Sequence, residues 1–373
     1  MMTVNNVTET NPQRALIVFE CMIILFMSVV GSIGNIFTIF AVLTNKRLRE
    51  PAQYSVVSLA IADLIPCLIT DSIYVVSAWH QKWFLPNAYI VCQIIGLLTV
   101  LCLEASVMNL IMIAINRYFC IVKYRKYKDI FTPRRTAVMC SLVWIPPFIG
   151  VIVPVAMKIT PFGIHDHMLS CSVESTKVGW WYLTILLVIY IPIAMVVITF
   201  CYMNIYRSVR ASRRRIEQQQ HVTKPNVSQA ANSNLNGNEP VIQPINTHEL
   251  APICHQNDAH SSVVGGHSTE TANGNSNPIT KVNLKKEIRL TVNLFIIFVI
   301  FVICWLPLTV VSLIDPIHPI ESDVVWQIVS ILALANSSCN PVVYVWRSKH
   351  FRQSYKRLLR CSLASPGSQS GSK

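Results

Sequence analysis

Charge is scarce in this chain. Asp, Glu, Lys and Arg together supply 13% of its 373 residues, against 52% hydrophobic, and mean hydropathy is +0.45. A soluble domain of this length carries about a quarter of its residues as charge, so the composition excludes one and makes the bilayer the solvent. Acids are scarcer still, 18 against 31 Lys and Arg, which leaves a net charge of +13. Other absences narrow the field. No repeat of solenoid length runs through the chain, and no paired halves with matching broken helices suggest a transporter. A filter or pore-lining ring, which a channel would need, is missing. Neither a nucleophile–base pair, nor a metal-ligand cluster, nor a phosphate loop marks an enzyme. The polar start Met1–Pro12, followed by an apolar stretch too long for a signal h-region, predicts an uncleaved anchor.

What the chain does have is seven apolar stretches, each longer than the about 20 residues that cross roughly 30 Å of hydrocarbon. They are expected near 15–43, 53–79, 88–121, 137–157, 180–205, 288–314 and 323–345. The fold class that follows is an all-α membrane protein, a seven-transmembrane helix bundle with a short amphipathic helix after span 7. Its expected divisions are an extracellular tail over 1–14, spans 1–5 with their loops over 15–209, a disordered cytoplasmic loop over 210–283, spans 6 and 7 over 284–346, a membrane-surface helix over 347–360 and a cytoplasmic tail over 361–373. The loop is assigned from its Gln, Asn, Ser, Thr and His content, which cannot bury enough apolar surface to fold alone.

The basic residues are placed for topology, not for nucleic acid. Lys46, Arg47 and Arg49 follow span 1, a run from Lys123 to Arg135 separates spans 3 and 4, Arg207–Arg215 and Lys285–Arg289 flank the long loop, and Arg347–Arg360 follows span 7. The positive-inside rule puts these in the cytoplasm and the N-terminus outside, as expected of a multi-pass plasma-membrane protein. Asn6 then heads an extracellular glycosylation triplet with Val7 and Thr8. Of the 12 cysteines, most lie in spans or on the reducing side, while Cys92 and Cys171 share the outer rim and are expected to pair. Cys361 follows a basic amphipathic stretch and is either a palmitoylation site or an unmodified thiol. Membrane lipids are the partner of that stretch.

Polar groups at membrane depth are expensive unless partnered or wet. Asn35, Asp63, Ser106, Asn109, Asn336, Ser337 and Asn340 could face one interior. Two readings stand: a hydrogen-bonded network, or a site in which Asp63 and its hydroxyl and amide neighbours hold a small hard cation. A proline deep in a span, as in Phe301…Cys304-Trp305-Leu306-Pro307, removes one backbone hydrogen bond and kinks the helix.

These residues together resemble the rhodopsin-like (class A) G-protein-coupled receptors. The resemblance is carried by Gly34-Asn35, Leu59-Ala60-Ile61-Ala62-Asp63, Asn116-Arg117-Tyr118, Trp144, Pro192, Cys304-Trp305-Leu306-Pro307 and Asn340-Pro341-Val342-Val343-Tyr344, one motif per span and in order. It implies a receptor for an extracellular small molecule or short peptide, with a heterotrimeric G protein inside and arrestin and a receptor kinase as further partners. The alternative is a membrane transporter or channel without G-protein coupling. It implies that Arg117, flanked by Asn116 and Tyr118, meets the G protein and is held at rest by Glu287. It also implies a sodium pocket at Asp63, Ser106, Asn336, Ser337 and Asn340, with no other cofactor. Phe301, Trp305, Pro307, Asn340, Pro341 and Tyr344 are the implied activation switch, and Phe351 packs the surface helix.

Two positions depart from the family pattern. Asn116 replaces the usual acid, as in melatonin receptors, so Arg117 has no charged neighbour in sequence. Phe200 stands where span 5 would carry a tyrosine, and Tyr202 follows. The ligand is less determined: Thr99 occupies the place of the amine-binding aspartate of aminergic receptors and Leu334 that of the opsin lysine. The expected cavity residues are Asp71, Thr99, Leu103, Glu104, Trp181, Thr309, Ser312, Asp315 and Ser330. Asp71 and Glu104 either meet a cationic or hydrogen-bonding ligand group or pair with a neighbouring helix.

Overall fold

The computed structural model describes residues 12–45, 48, 51–80, 89–159, 162–165, 170–173, 176–222, 278–315, 317–318, 320 and 322–363. Among these, seven helices are long and apolar enough to cross a membrane. Span 1 is Pro12–Thr44, span 3 is Tyr89–Val122, span 5 is Lys177–Val222, span 6 is Pro278–Ile314 and span 7 is Asp323–Arg347. Spans 2 and 4 are built from pieces. Span 2 runs Pro51–Ile65, a π-helical turn Pro66–Thr70 and Asp71–His80. Pro66 opens that turn, and the Asp71 backbone N–H closes it on the Pro66 carbonyl, a wider ring than the α-helix uses. Span 4 is Pro133–Leu142 and Ile145–Ala156; the Thr132 hydroxyl accepts from the Arg135 amide and Pro133 takes the first turn, where its missing N–H costs nothing.

Burial is inverted relative to a soluble protein. Large apolar side chains such as Phe19, Phe26, Ile90 and Val196 point outward, while Asn35, Asp63, Asn109, Asn336 and Asn340 are buried among the helices. That is the arrangement a hydrocarbon solvent selects. Cross-span bonds fix the packing: Trp144 Nε1 donates to Ser58 Oγ at 3.0 Å, the Thr70 and Thr99 hydroxyls lie 2.7 Å apart, and Thr184 Oγ1 donates to the Ser312 carbonyl at 3.2 Å. Two glycines of span 1 permit close approach. A Cβ on Gly31 would lie 2.4 Å from Cys67 Sγ, and one on Gly34 would lie 2.6 Å from Pro341 Cβ.

Outside the bundle, β1 (Phe162–His165) and β2 (Ser170–Val173) form an antiparallel hairpin. Phe162 and Val173 bury against Val100, Val151 and Leu186, and the Cys92–Cys171 disulfide, with 5.2 Å between Cα atoms, ties β2 to the outer end of span 3. After span 7 the chain turns into the helix Lys349–Leu363, basic on one side; its Phe351 and Tyr355 are buried.

Two regions depart from the bounds expected. The cytoplasmic insertion was expected to lose structure from position 210, yet span 5 continues as helix to Val222 and span 6 resumes at Pro278; the polar stretch Arg207–Gln220 is rich in good helix formers that extend an existing helix without needing a new nucleus. The surface helix likewise runs past 360, to Leu363. Asn6, residues 223–277 and the tail after 363 lie outside the described residues, as do the side chains of Glu287 and Cys361.

Candidate functional site

Two sites lie between the helices, an outer cavity on the side of the Cys92–Cys171 disulfide and an inner polar cluster. The outer one is a cavity of about 120 Å³ lined by spans 2, 3, 5, 6 and 7 and by Cys171 of the hairpin. Of the expected residues, Thr99, Leu103, Glu104 and Ser330 line it. The rest lie elsewhere. Trp181 is 54% exposed, near the outer start of span 5. Thr309 turns back on its own helix, donating to the Trp305 carbonyl at 2.9 Å. Ser312 is buried outside the lining. Asp315 accepts from the Ile320 amide at 2.8 Å, and the Ile320 carbonyl accepts from Trp326 Nε1 at 3.2 Å, so it clamps the turn between spans 6 and 7. Asp71 is 1% exposed, off the lining, with no hydrogen-bond partner on either oxygen. The lining also holds Tyr74, Tyr190 and Trp305, of which the sequence reading had placed only Trp305 at a functional position.

Trp305 links this cavity to what lies beneath. Its ring packs on Phe301 with centroids 6.3 Å apart and planes tilted by 42°, and Phe301 is fully buried in the central core with Ile198 and Ile297. Pro307 and Pro341 sit inside spans 6 and 7, each removing a ladder bond where a bend is easiest.

The inner centre is built on Asp63, which is fully buried. Ser106 Oγ donates to its Oδ1 at 2.9 Å and Asn340 Nδ2 to its Oδ2 at 2.7 Å, while the Ser337 hydroxyl makes a further hydrogen bond to the carboxyl. Asn35 Nδ2 reaches the Ser337 carbonyl at 3.1 Å, joining span 1 to the group. Spans 1, 2, 3 and 7 therefore meet at one carboxyl. Asn336 is 1% exposed, and its amide nitrogen, with Asn35 Oδ1, has no protein partner. One carboxylate with serine hydroxyls and a spare amide oxygen is a hard-oxygen set, fitting sodium and not a transition metal; among the described residues no group of three or more His, Cys, Asp or Glu could hold a metal.

At the end of span 3 away from the disulfide, Arg117 is 5% and Asn116 1% exposed; neither Asn116 side-chain atom has a hydrogen-bond partner. Tyr118 packs edge-on against Phe119 and lies 6.0 Å from the Phe200 ring. Phe200 points outward at 58% exposure, whereas Tyr202 is 7% exposed and shares with Tyr344 a cavity of about 10 Å³ bounded by Leu110, Ile113 and Ile198. The inward tyrosine of span 5 is thus Tyr202, two positions later than the family spacing implies. Tyr344 stacks on Phe351 of the surface helix, 5.3 Å between centroids.

Seven membrane-length helices enclosing an outer cavity and a buried carboxyl cluster define a seven-helix membrane bundle. The chain belongs to the 7 transmembrane receptor (rhodopsin family), whose model matches residues 34–344, a family of receptors and not of enzymes. It is 27% identical to melatonin receptor type 1A of Gallus gallus over 343 residues, covering 90% of this chain and 79% of that one. To G-protein coupled receptor moody of Drosophila melanogaster it is 27% identical over 368 residues, covering 95% of this chain and 53% of that one. Squid rhodopsin shares the fold, with a TM-score of 0.69 at 19% identity, covering 94% of this chain and 87% of that one.

Proposed function

We propose that the chain is a plasma-membrane receptor, N-terminus outside, whose outer cavity binds a small extracellular molecule or short peptide. Binding shifts span 6 outward at its inner end and opens a cleft for a heterotrimeric G protein. The observation that carries this reading is the contact of Trp305, on the wall of the outer cavity, with Phe301 of the central core: a ligand touching Trp305 presses on a buried ring that shares its core cluster with Ile198 and Ile297, two residues that bound the Tyr202 and Tyr344 cavity. The ligand moves the equilibrium only by binding the open state more tightly. The names of the melatonin-receptor relatives make an indole-sized ligand a fair starting probe. Asp63, Ser106, Ser337, Asn336 and Asn340 would hold an allosteric sodium ion, whose charge would stabilise the ionised carboxylate and the closed packing of spans 2, 3 and 7. Arrestin and a receptor kinase would then read the open inner face.

Guanine-nucleotide exchange tests the coupling. Membranes carrying the chain should accelerate exchange on at least one of a set of purified heterotrimers, and Arg117→Ala at matched surface expression should lower that rate about tenfold or more, the loss of a buried charged contact with the partner. Full exchange by Arg117→Ala would remove Arg117 from the mechanism, and acceleration on no heterotrimer would remove the coupling.

A further inference from the structure

Glu104 of span 3 is more than nine-tenths buried and lines the outer cavity; the Tyr190 hydroxyl is the side-chain group that reaches its carboxyl, and among the described residues no other group donates to it. The other polar groups near it are committed elsewhere. The Tyr182 hydroxyl is committed to the Gly150 carbonyl at 2.7 Å, Thr99 to the Ile95 carbonyl and to Thr70, and the Tyr74 hydroxyl to Glu20. Gly150 of span 4 supplies only backbone here: a Cβ on it would lie 3.4 Å from Glu104 Oε2 and 3.5 Å from the Tyr190 hydroxyl. The carboxyl and the Tyr190 phenol therefore converge on one corner where spans 3, 4 and 5 meet.

The rest of the lining decides the sign of the charge this corner receives. Among the described residues, Glu104 is the only acid on the cavity wall and no Lys, Arg or His accompanies it, so a carboxylate or phosphate ligand would face a bare carboxyl with nothing to neutralise it. A cation meets the opposite situation. The carboxylate supplies the counter-charge, and the ring of Tyr190, with Trp305 across the cavity, supplies aromatic surface that attracts a positive centre. Leu103, Leu187 and Leu308 suit an apolar body, not a second polar group.

We propose that the cavity recognises a protonated amine on an apolar body, its ammonium seated on the Glu104 carboxylate beside the Tyr190 hydroxyl. The anchor lies deeper along span 3 than Thr99, so the charged end of the ligand points toward spans 4 and 5 and its body lies toward Trp305. This deepens the receptor reading and rests on the outer cavity being the ligand site.

The test uses the full-length chain in lipid nanodiscs and a matched pair of probes, tryptamine and its uncharged derivative N-acetyltryptamine. Binding is followed by thermal stabilisation over a concentration series. Wild type should bind tryptamine more tightly than the amide. Glu104→Gln, which keeps the shape and removes the charge, should weaken tryptamine about thirtyfold or more, the loss expected when a buried charge partner is neutralised, while N-acetyltryptamine changes less than about threefold. Equal or tighter binding of the amide by wild type overturns the proposal, as does an unchanged tryptamine preference in Glu104→Gln. Should that variant fail to reach a folded state, Glu104→Asp decides in its place: it keeps the charge and should keep the preference. Nucleotide exchange in the absence of ligand, and its dependence on Arg117, are independent of either probe, so the amine assignment can fail while the coupling stands.

Discussion

At Gly34 the missing side chain is what lets span 1 lie on span 7. A methyl there would sit 2.6 Å from Pro341 Cβ and 2.7 Å from its Cγ, and a proline ring inside a helix cannot turn aside as a long side chain could. Gly34→Ala should cost about 1–3 kcal/mol, the range for overpacking a rigid contact, read as a lowered melting temperature of the purified receptor. Gly150→Ala meets ordinary contact distances and should melt close to wild type; equal melting of Gly34→Ala would mean that the two spans part without cost. At Asp63 the question is charge. Both carboxyl oxygens already accept hydrogen bonds from Ser106 and Asn340, and asparagine can keep that geometry by turning the partner amide and hydroxyl, so Asp63→Asn is expected to fold. If the carboxylate is there to hold sodium, the ion should suppress ligand-independent nucleotide exchange in wild type and have no effect on Asp63→Asn. An identical sodium response in the two would assign the cluster to packing alone.

The surface helix is held to span 1 by side chains more than by the turn that precedes it. The Tyr355 hydroxyl donates to the Gly34 carbonyl at 2.7 Å and lies 2.6 Å from Thr38 Oγ1, its ring meets Phe37 edge-on at 5.4 Å, and Asn45 Nδ2 donates to Ser354 Oγ at 2.9 Å. Burial pushes the Tyr355 hydroxyl up to about 12, against the opposing pull of its Thr38 hydrogen bond, so it remains a donor across the physiological range. Tyr355→Phe keeps the ring contact and loses the hydroxyl, for about 1 kcal/mol; a shift of the thermal midpoint well beyond that would show that the helix, not only the bond, had been released. Elements of this kind were only partly legible beforehand. The seven spans were, because a window of about 20 apolar residues has few other uses, and Asp63 with Asn340 was, because polar groups at that depth demand partners. The π-helical turn was not: Pro66 predicts an interruption but not which residues absorb it. Trp181 is expected in the cavity, whereas the helix starts at Lys177 and leaves its ring exposed. Glu104 was named as a site candidate, but Tyr190 and Gly150, which define its corner, belong to spans 4 and 5, and their convergence is a property of packing that no local pattern encodes.

For the molecule as a whole, the receptor reading proposed above makes the resting state depend on how the inner ends of spans 3 and 6 are held. Asn116 brings no charge to Arg117, and its own side-chain atoms have no partner, so an acid from another span has more to do here than in a chain with an acid at that position. We propose that Glu287, in the helix of span 6, is that acid. Glu287→Ala should raise ligand-independent exchange a few-fold, the effect of removing about 1 kcal/mol of bias from a two-state equilibrium; unchanged exchange at matched surface expression would place the restraint elsewhere, with Tyr202 and Tyr344 as the next pair to alter. A last consequence concerns counting. The turn at Pro66–Thr70 spends one residue more than an α-turn, and each residue of an α-helix rotates the chain by about 100°. A relative whose span 2 lacks that extra residue shares positions with this chain as far as Ile65 and loses step with it beyond Thr70. Lined up without a gap, its outer half would assign to Asp71 and Tyr74 the roles of residues that look in another direction.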